Sequence, residues 1–382
     1  MASPLRIPFN RASFVGREYE LLERVEHSGE LAGNGHVTHQ VEALLSEALR
    51  NLTVLVTTSC TSALEVAALT MGIVPGDEVI VPSFTFVSTA SAFSAHGATP
   101  VFADVHPDTL NIDETQLASL VSDKTRAIVV THYAGVACEM DAIMAFAEER
   151  ELLVVEDNAH GLFGWYRDQP LGTIADYGAL SFHATKNFSS GQGGALVVRD
   201  PDTAERARIA RENGTNRPAF DRGEVNKYTW VAQGINAVAS ELVAAVILGQ
   251  LEARDVIQHR RRELWQRYNT QLAPWATTYG VEMPTVPSWC ASSFHLFHLI
   301  LPNEESRTRF IAKLAQKGIL AVSHYVPLHD SPMGQVFGGR SGSCPVSEDR
   351  ARRVVRLPLF FELTDAEQDE VIEAALGFSE FT

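Results

Sequence analysis

Cysteine is scarce in this chain, and the four residues present, Cys60, Cys138, Cys290 and Cys344, are far apart and form no Cys-x-x-Cys pair. This spacing argues against a disulfide-stabilised scaffold and against a zinc site, so we expect no bound metal. No apolar run approaches the length of a membrane span, and the N-terminal residues include no apolar signal segment. We therefore expect a cytoplasmic protein that has no membrane partner.

Basic residues are too few to balance the acidic ones. The 382 residues include 31 lysines and arginines against 47 aspartates and glutamates, which gives a formal net charge of -16. Because this charge opposes attraction to nucleic acid, we expect no nucleic-acid partner. The length and the hydrophobic content of 45% suit two domains. We predict a large domain over residues 1–250 and a smaller C-terminal α+β domain over residues 251–382.

Alternating segments predict the architecture of the large domain. After two helical patterns, Arg17–Glu26 and His36–Arg50, short β-branched runs alternate with segments rich in Ala and Leu. This alternation predicts an α/β fold in which helices cover both faces of a mostly parallel sheet. The predicted strands are Thr53–Thr57, Glu78–Val81, Pro100–Ala103, Ala127–Thr131, Leu152–Val155, Ala179–Phe182 and Ala195–Val198.

The smaller domain follows a long connecting helix, which we predict over Ser240–Ala273. The elements predicted beyond it are strands over Phe294–Leu301 and Ile319–Tyr325 and helices over Ser306–Lys317 and Asp365–Leu376. His295 and His298 fall within the first of these strands, where residues three apart face opposite sides. We therefore interpret both histidines as structural.

Lys186 lies in a turn rich in glycine and hydroxyl residues between the last two strands of the large domain. The pKa of a lysine falls when the amine is partly desolvated, and a neutral amine can act as a Schiff-base nucleophile. The alternative is an ordinary solvated lysine in a surface loop. The choice between them depends on the other strand ends, because ligands of parallel sheets bind beyond the carboxyl ends of the strands.

Two of those strand ends carry polar groups that a phosphorylated cofactor could use. A helix begins within Thr58-Ser-Cys-Thr-Ser62, and its first backbone N–H groups are free to bind an anion. The simpler interpretation is that Ser59 or Thr61 is only the N-cap of this helix. Asp157 ends an apolar strand, where its carboxylate needs a partner such as a protonated pyridine nitrogen, unless it caps the next helix. His160 is either a hydrogen-bond donor to the cofactor or a loop histidine.

Together these residues provide partners for the phosphate, the ring nitrogen and the aldehyde of pyridoxal 5'-phosphate. Asp157 and Lys186 are separated by 186 − 157 = 29 residues. Phe86, at a further strand end, could stack on the cofactor ring, although by composition alone it is a core residue. The residues therefore favour a pyridoxal-phosphate enzyme.

The sequence resembles the sugar-nucleotide aminotransferases of the fold-type I pyridoxal-phosphate enzymes. The resemblance runs from Ile7 to Phe360 and is strongest in Pro82-Ser-Phe-Thr-Phe-Val-Ser-Thr-Ala90, Glu156-Asp-Asn-Ala-His160, Ser181-Phe-His-Ala-Thr-Lys-Asn187 and Gly191-Gln-Gly-Gly194. Within the family it is most similar to dTDP-4-amino-4,6-dideoxygalactose transaminases, through Gly214-Thr-Asn-Arg217, Lys227-Tyr-Thr-Trp230, His132-Tyr-Ala-Gly-Val-Ala-Cys-Glu-Met-Asp141 and Val326-Pro-Leu-His329.

The resemblance implies a transaminase that moves an amino group from L-glutamate to a 4-keto-6-deoxy sugar nucleotide. It implies that Lys186 bonds covalently to pyridoxal phosphate and then transfers protons, that Asp157 pairs with the pyridine nitrogen, and that His160 lies near the ring hydroxyl. Such enzymes serve cell-envelope polysaccharide or antibiotic-sugar synthesis. A lysine at this position favours transamination, because relatives that dehydrate sugars have histidine there.

The same resemblance implies the remaining contacts. Ser181, Thr61 and the backbone of Cys60 would hold the phosphate, and Phe86 would stack on the ring. Asn236 matches a residue that reaches the phosphate of the neighbouring subunit, which implies a homodimer with shared active sites. The residues that match positions in contact with the sugar nucleotide are Tyr325 and His329.

Some alternatives stay open. Cys60 stands where many relatives have glycine, and Gln192 replaces a common glutamate. The substrate could be a 3-keto or a UDP-linked sugar instead. A protein of another class, a regulatory protein that kept the fold without the chemistry, is disfavoured by the presence of Lys186, Asp157 and Ser181.

Overall fold

The computed structural model describes residues 6–381 and is organised as an α/β protein. Its helices are α1 (Glu18–Ser28), α2 (His36–Ala48), α3 (Cys60–Met71), α4 (Ser88–Ser94), α5 (Leu117–Leu120), α6 (Met140–Glu149), α7 (Pro201–Arg211), α8 (Arg217–Asp221), α9 (Glu241–Glu252), α10 (Arg254–Tyr279), α11 (Glu304–Gln316), α12 (Pro332–Val336), α13 (Pro345–Arg353) and α14 (Asp365–Leu376). Within the described residues, no helix is both long enough and apolar enough to cross a membrane.

The strands follow the predicted alternation closely. They are β1 (Thr53–Thr57), β2 (Glu78–Pro82), β3 (Thr99–Ala103), β4 (Thr125–Thr131), β5 (Leu153–Asp157), β6 (Trp165–Tyr166), β7 (Gln169–Pro170), β8 (Tyr177–Ser181), β9 (Gly194–Val198), β10 (Cys290–Ala291), β11 (Phe297–Ile300) and β12 (Val354–Leu357). A sheet of seven strands has the order β1-β9-β8-β5-β4-β2-β3. Its β3, β2, β4, β5 and β8 are mutually parallel, and β9 runs antiparallel to both of its neighbours, β8 and β1. The predicted mostly parallel sheet is therefore confirmed.

Alternate side chains of the strands reach opposite faces of this sheet. On β1, Leu55 packs into a core with α3, α4 and α7, whereas Val54 and Val56 pack into a core with α1, α2 and α9. Because successive residues of a strand point to opposite faces, both faces need a helical layer. Strands buried on both faces are rich in Val, Ile and Leu, which is why the apolar runs were visible in the sequence.

The C-terminal half forms a separate hydrophobic core. Residues of α10, α11 and α14 pack there against the antiparallel pair β11 and β12. Ile7 belongs to this core as well and pairs with Ile319. The domain boundary near residue 250 stays a prediction, with the qualification that the segment around Ile7 packs with the smaller unit rather than the larger.

Three predicted element bounds in this half are wrong. The helix expected over Ser240–Ala273 is two helices, α9 and α10, which meet at Ala253. The strand expected over Phe294–Leu301 starts at Phe297, because Phe294 has a φ of 55°, which strand residues do not adopt. The segment Ile319–Tyr325 forms no strand. Ile319 and Val322 make only isolated pairings, and the last two residues of the segment line a cavity.

Candidate active site

A cavity of about 620 Å³ opens at the carboxyl ends of the parallel strands. Four adjacent strands each deliver a lining residue there: Thr85 follows β2, and Thr131, Asp157 and Ser181 end β4, β5 and β8. This is the edge where open α/β sheets bind ligands, because loops that lead into helices converge on it. Eight of the ten predicted site residues line the cavity: Cys60, Thr61, Phe86, Asp157, His160, Ser181, Lys186 and Tyr325.

Lys186 lies in the turn between β8 and β9, whose pairing ends at Ser181 and Gly194. Its backbone N–H donates to the carbonyl of His183 at 2.9 Å, so the turn folds back on itself before the lysine. Burial lowers the pKa of the Lys186 amine from 10.5 to about 8, although the nearby Asp157 acts in the opposite direction. A substantial fraction of the amine is therefore neutral near physiological pH, as a nucleophile or a proton acceptor must be.

The turn that carries Lys186 is anchored from two sides. The side-chain amide of Asn187 donates to the carbonyl of Ser293 at 2.8 Å and accepts from the ring of His295 at 2.9 Å. Asn10 donates to the carbonyl of Ala184 at 2.8 Å. These bonds come from the smaller unit and from the N-terminal segment, so both hold the lysine in place.

Asp157 is buried, with 3% of its surface exposed. Thr89 donates to one carboxylate oxygen at 2.6 Å, whereas the other receives only the backbone N–H of Ala159 at 3.3 Å and the Cys60 thiol at 3.9 Å. Burial raises the pKa of Asp157, and the bond from Thr89 opposes this shift. Because the second oxygen makes only these long hydrogen bonds, it can still accept a strong charge-assisted hydrogen bond, such as one from a pyridinium N–H.

An anion cradle lies at the start of α3. Ser59 is the N-cap and accepts from the N–H of Ser62 at 3.0 Å, so the first N–H groups of the helix, at Cys60 and Thr61, have no helical acceptor. A Cβ on Gly194 would lie 2.4 Å from the backbone N of Cys60, so only glycine lets β9 approach this loop. These free N–H groups fit a phosphate, and Asp157 fits a ring nitrogen, as pyridoxal phosphate requires.

His160 is fixed by three contacts beside the cavity. Its Nδ1 accepts from the N–H of Ala134 at 3.3 Å, its Nε2 lies 3.2 Å from the Tyr325 hydroxyl, and its ring stacks on His295 at a centroid distance of 4.3 Å. Burial lowers the pKa of His160 well below its usual range, so the ring is neutral. A neutral ring that accepts at Nδ1 carries its proton on Nε2 and donates to Tyr325, which leaves the Tyr325 proton free to point into the cavity.

Two predicted site residues lie outside this cavity. The ring of His329 is fully buried, 2.5 Å from the Ser83 hydroxyl and 3.0 Å from the Glu348 carboxylate. It holds α13 against the end of β2 and is not among the residues that line the cavity; its predicted contact with the sugar nucleotide stays a prediction. Asn236 pairs with Glu212 through its backbone and does not line the cavity; its predicted role in a neighbouring subunit stays a prediction.

The residues that sequence reasoning missed at the cavity include Thr89, His295, His324 and Arg356. Thr89 lies in the quoted Pro82–Ala90 motif, but nothing in its spacing indicated a bond to Asp157. His295 was interpreted as structural because the segment was taken for a strand, yet it lines the cavity beside His160. The other two, His324 and Arg356, come from the wrongly assigned segment and from β12.

One cluster elsewhere has metal-ligating side chains. His106, Asp113 and Glu114 offer atoms within 4.8 Å of one another. Other hydrogen bonds already occupy these groups: the His106 ring lies 2.7 Å from Glu114, and Asp113 caps a short 3-10 helix by accepting from Thr115. We therefore interpret this cluster as a structural ion-pair network.

Comparison with known proteins identifies the family of this chain. Residues 14–376 match the DegT/DnrJ/EryC1/StrS aminotransferase family. The chain belongs to this family. It is also 37% identical, over 83% of its length and 82% of the relative's, to the spore coat polysaccharide biosynthesis protein SpsC of Bacillus subtilis. The predicted family of sugar aminotransferases is therefore confirmed.

Solved aminotransferases share the whole fold. The aminotransferase TlmJ from Streptoalloteichus hindustanus is 31% identical and superposes with a TM-score of 0.86, covering 98% of this chain and 97% of that one. The putative sugar aminotransferase Spr1654 from Streptococcus pneumoniae, in its PLP form, is 27% identical with a TM-score of 0.89, and 97% of each chain is covered. The fold-type I architecture and the pyridoxal-phosphate cofactor predicted for this aminotransferase are both confirmed.

Proposed function

We propose that this aminotransferase moves the amino group of L-glutamate onto a 4-keto-6-deoxy sugar nucleotide, converting dTDP-4-dehydro-6-deoxyglucose to dTDP-4-amino-4,6-dideoxygalactose. The observation that carries the proposal is the grouping of Lys186, Asp157 and the N-terminus of α3 around one cavity. Bound pyridoxal phosphate supplies a carbon that takes up the amino group and a ring that accepts electrons. The residues of the chain supply the remaining functions.

Lys186 and Asp157 have complementary tasks in this proposal. With the cofactor bound, the lowered pKa of Lys186 would let its amine accept a proton and release it again at neutral pH. Asp157 keeps the ring nitrogen protonated, because a buried carboxylate is most stable next to a cation. Thr61, Ser181 and the Cys60 backbone, which line the same cavity, would hold the phosphate and so orient the cofactor.

Sequence motifs outside the cofactor site support the choice of sugar. The segments at residues 214–217 and 227–230 resemble those of dTDP-4-amino-4,6-dideoxygalactose transaminases. SpsC, by its name, serves polysaccharide biosynthesis, and we propose a cytoplasmic role of that kind for this chain. Tyr325 is our proposed sugar contact, because its hydroxyl proton faces the cavity once His160 donates to it.

A homodimer would complete the site. Several aromatic side chains near Asn236 are exposed in the single chain: Trp230 at 75%, Tyr228 at 50% and Phe220 at 41%. A contiguous group of exposed aromatic residues is typical of protein interfaces. We propose that a second copy covers this surface and that Asn236 then reaches the phosphate of its partner.

Product analysis tests the function. The loaded enzyme is incubated with L-glutamate and either dTDP-4-dehydro-6-deoxyglucose, its UDP analogue or a 3-keto isomer. We expect an amino sugar from the first substrate, with nitrogen on C4 and the galacto configuration by NMR. Faster turnover of either competitor would replace the proposed substrate, and Lys186→Ala serves as the inactive control.

A further inference from the structure

Three buried threonines at the carboxyl edge of the sheet are joined to Asp157 by hydrogen bonds between hydroxyls. Thr89, near the start of α4, donates to the Asp157 carboxylate at 2.6 Å. The hydroxyl of Thr85 lies 2.8 Å from that of Thr89 and 2.9 Å from that of Thr131, which ends β4. None of the three residues is more than 4% exposed. We call these three threonine hydroxyls the hydroxyl chain.

Each hydrogen bond of the hydroxyl chain has a defined direction. An ionised carboxylate can only accept, so Thr89 uses its single hydroxyl proton on Asp157. Thr85 must therefore donate to Thr89, and Thr131 must donate to Thr85. All three hydroxyl protons thus point toward the carboxylate. Hydrogen bonds that are aligned head to tail in this way polarise and strengthen one another.

Another buried threonine shows how a hydroxyl is satisfied when its role is only structural. Thr70 donates to the carbonyl of Val66, one turn earlier in its own helix, at 2.6 Å. Such a local bond to the main chain is common for threonine in a helix. Within residues 6–381, the hydroxyl chain bonds to no main-chain carbonyl. Its protons are directed to one carboxylate instead.

The carboxylate at the end of the hydroxyl chain needs this help to stay ionised. Burial raises the pKa of Asp157 and so favours the neutral acid. The hydrogen bond from Thr89 opposes this shift more strongly than the charge of Lys186 does. An aspartic acid that keeps its own proton leaves a neighbouring pyridine nitrogen neutral, whereas an ionised one stabilises a pyridinium.

We propose that the hydroxyl chain, with Thr89 as its positioning residue, holds Asp157 ionised and so keeps the ring nitrogen of bound pyridoxal phosphate protonated. Because Thr89 does not line the cavity, it acts on the cofactor only through Asp157. The other carboxylate oxygen, which makes only long hydrogen bonds, stays available to the ring nitrogen. The inference rests on the proposed pairing of Asp157 with that nitrogen.

Two forms of the cofactor isolate this effect. In 1-deazapyridoxal phosphate a C–H group replaces the ring nitrogen, so the compound cannot pair with Asp157 but has the same aldehyde and phosphate. Equilibrium dialysis measures the affinity of the cofactor-free protein for each compound. Thr89→Val keeps the shape of the side chain without the hydroxyl, and we expect it to lose at least about 10-fold in affinity for pyridoxal phosphate and little for the deaza compound. Thr89→Ser, which retains the hydroxyl, should bind both compounds as the wild type does.

Two further variants and a spectroscopic measurement complete the test. Thr70→Val, the matched control, removes a buried threonine hydroxyl outside the cavity and should leave both affinities unchanged. Thr131→Val removes the far end of the hydroxyl chain and should weaken binding of pyridoxal phosphate selectively, but less than Thr89→Val. The NMR shift of the bound cofactor's ring nitrogen, labelled with nitrogen-15, should indicate a pyridinium in the wild type and move toward neutral pyridine in Thr89→Val.

Equal losses for the two compounds in Thr89→Val would overturn the proposal, because the effect would then not depend on the ring nitrogen. Unchanged affinities together with a pyridinium signal in Thr89→Val would also overturn it, and would leave the proposed function intact. If the wild type itself binds both compounds equally, the pairing of Asp157 with the ring nitrogen fails, and the role of Thr89 fails with it. Neither measurement needs an amino donor or a sugar, so a different sugar substrate would not change these results.

Discussion

The pKa of Lys186 governs how fast the empty enzyme can capture its cofactor. Only a neutral amine attacks an aldehyde, and burial in the cavity lowers the pKa of this amine from 10.5 to about 8. At pH 7 about one amine in ten would then be neutral, against about one in 3,000 for an ordinary lysine. The structure therefore predicts capture roughly 300-fold faster than an unperturbed lysine of equal reactivity would allow.

Stopped-flow mixing of cofactor-free protein with pyridoxal phosphate measures this rate through the growth of the visible band. The rate is recorded from pH 6.5 to 10 at constant ionic strength and divided at each pH by the rate per neutral amine of a free lysine derivative, which removes the titration of the cofactor itself. We expect this corrected profile to rise with pH, to reach half of its maximum near pH 8 and to level off about one pH unit higher. Asp157 raises the pKa of Lys186, so Asp157→Asn should move the midpoint to a lower pH.

A profile that continues to rise toward pH 10 would refute the reasoning, because it would show a lysine exposed to water. A midpoint that moves upward in Asp157→Asn would contradict the assigned charge interaction between the two groups. Lys186→Ala should show no growth of the band at all. This last variant also controls for reaction at surface lysines.

Three further substitutions test other parts of the site. Asp157→Asn should lower kcat at least about 100-fold. Far-UV circular dichroism should show that the variant is still folded. An unchanged kcat would show that Asp157 has no role in the mechanism. Gly194→Ala places a Cβ 2.3 to 2.5 Å from the backbone of Ser59 and Cys60. The affinity for the cofactor, measured by equilibrium dialysis, should therefore fall. Normal affinity would contradict the assignment of the phosphate to this loop. His329→Leu leaves Ser83 and Glu348 without their buried partner, so the free energy of unfolding measured with denaturant should fall by about 1–3 kcal/mol. The KM for the sugar nucleotide should not change. A selective rise in that KM would indicate that His329 contacts the substrate.

Local patterns in the sequence predicted the sheet and the cofactor end of the site. Strands buried on both faces leave uninterrupted apolar runs, and the residue after such a run falls at the carboxyl edge where ligands bind. Asp157 was placed at this edge by its position, whereas Ser181, which the resemblance supplied, lines the same cavity. The position of Lys186 in the turn between two such runs made it a candidate, and the other strand ends and the resemblance were needed to favour it.

Contacts made over long sequence separations could not be predicted in this way. Arg356 meets Phe9, and Asn187 meets Ser293, although the members of each pair are far apart in the sequence. For His329 the resemblance implied a contact with the sugar nucleotide, and nothing in the local sequence indicated that its ring would bond to Ser83 and Glu348 outside the cavity. None of these contacts has a signature at short range, because each depends on how distant segments of the chain pack together.

The visible absorption spectrum before and after addition of L-glutamate tests the central claim most directly. The account predicts that purified protein, supplied with pyridoxal phosphate, shows a bound-cofactor band that L-glutamate converts to the shorter-wavelength band of the amine form, and that Lys186→Ala shows no such conversion. A wild-type protein that acquires no band after incubation with the cofactor, or a band that L-glutamate leaves unchanged, would contradict it.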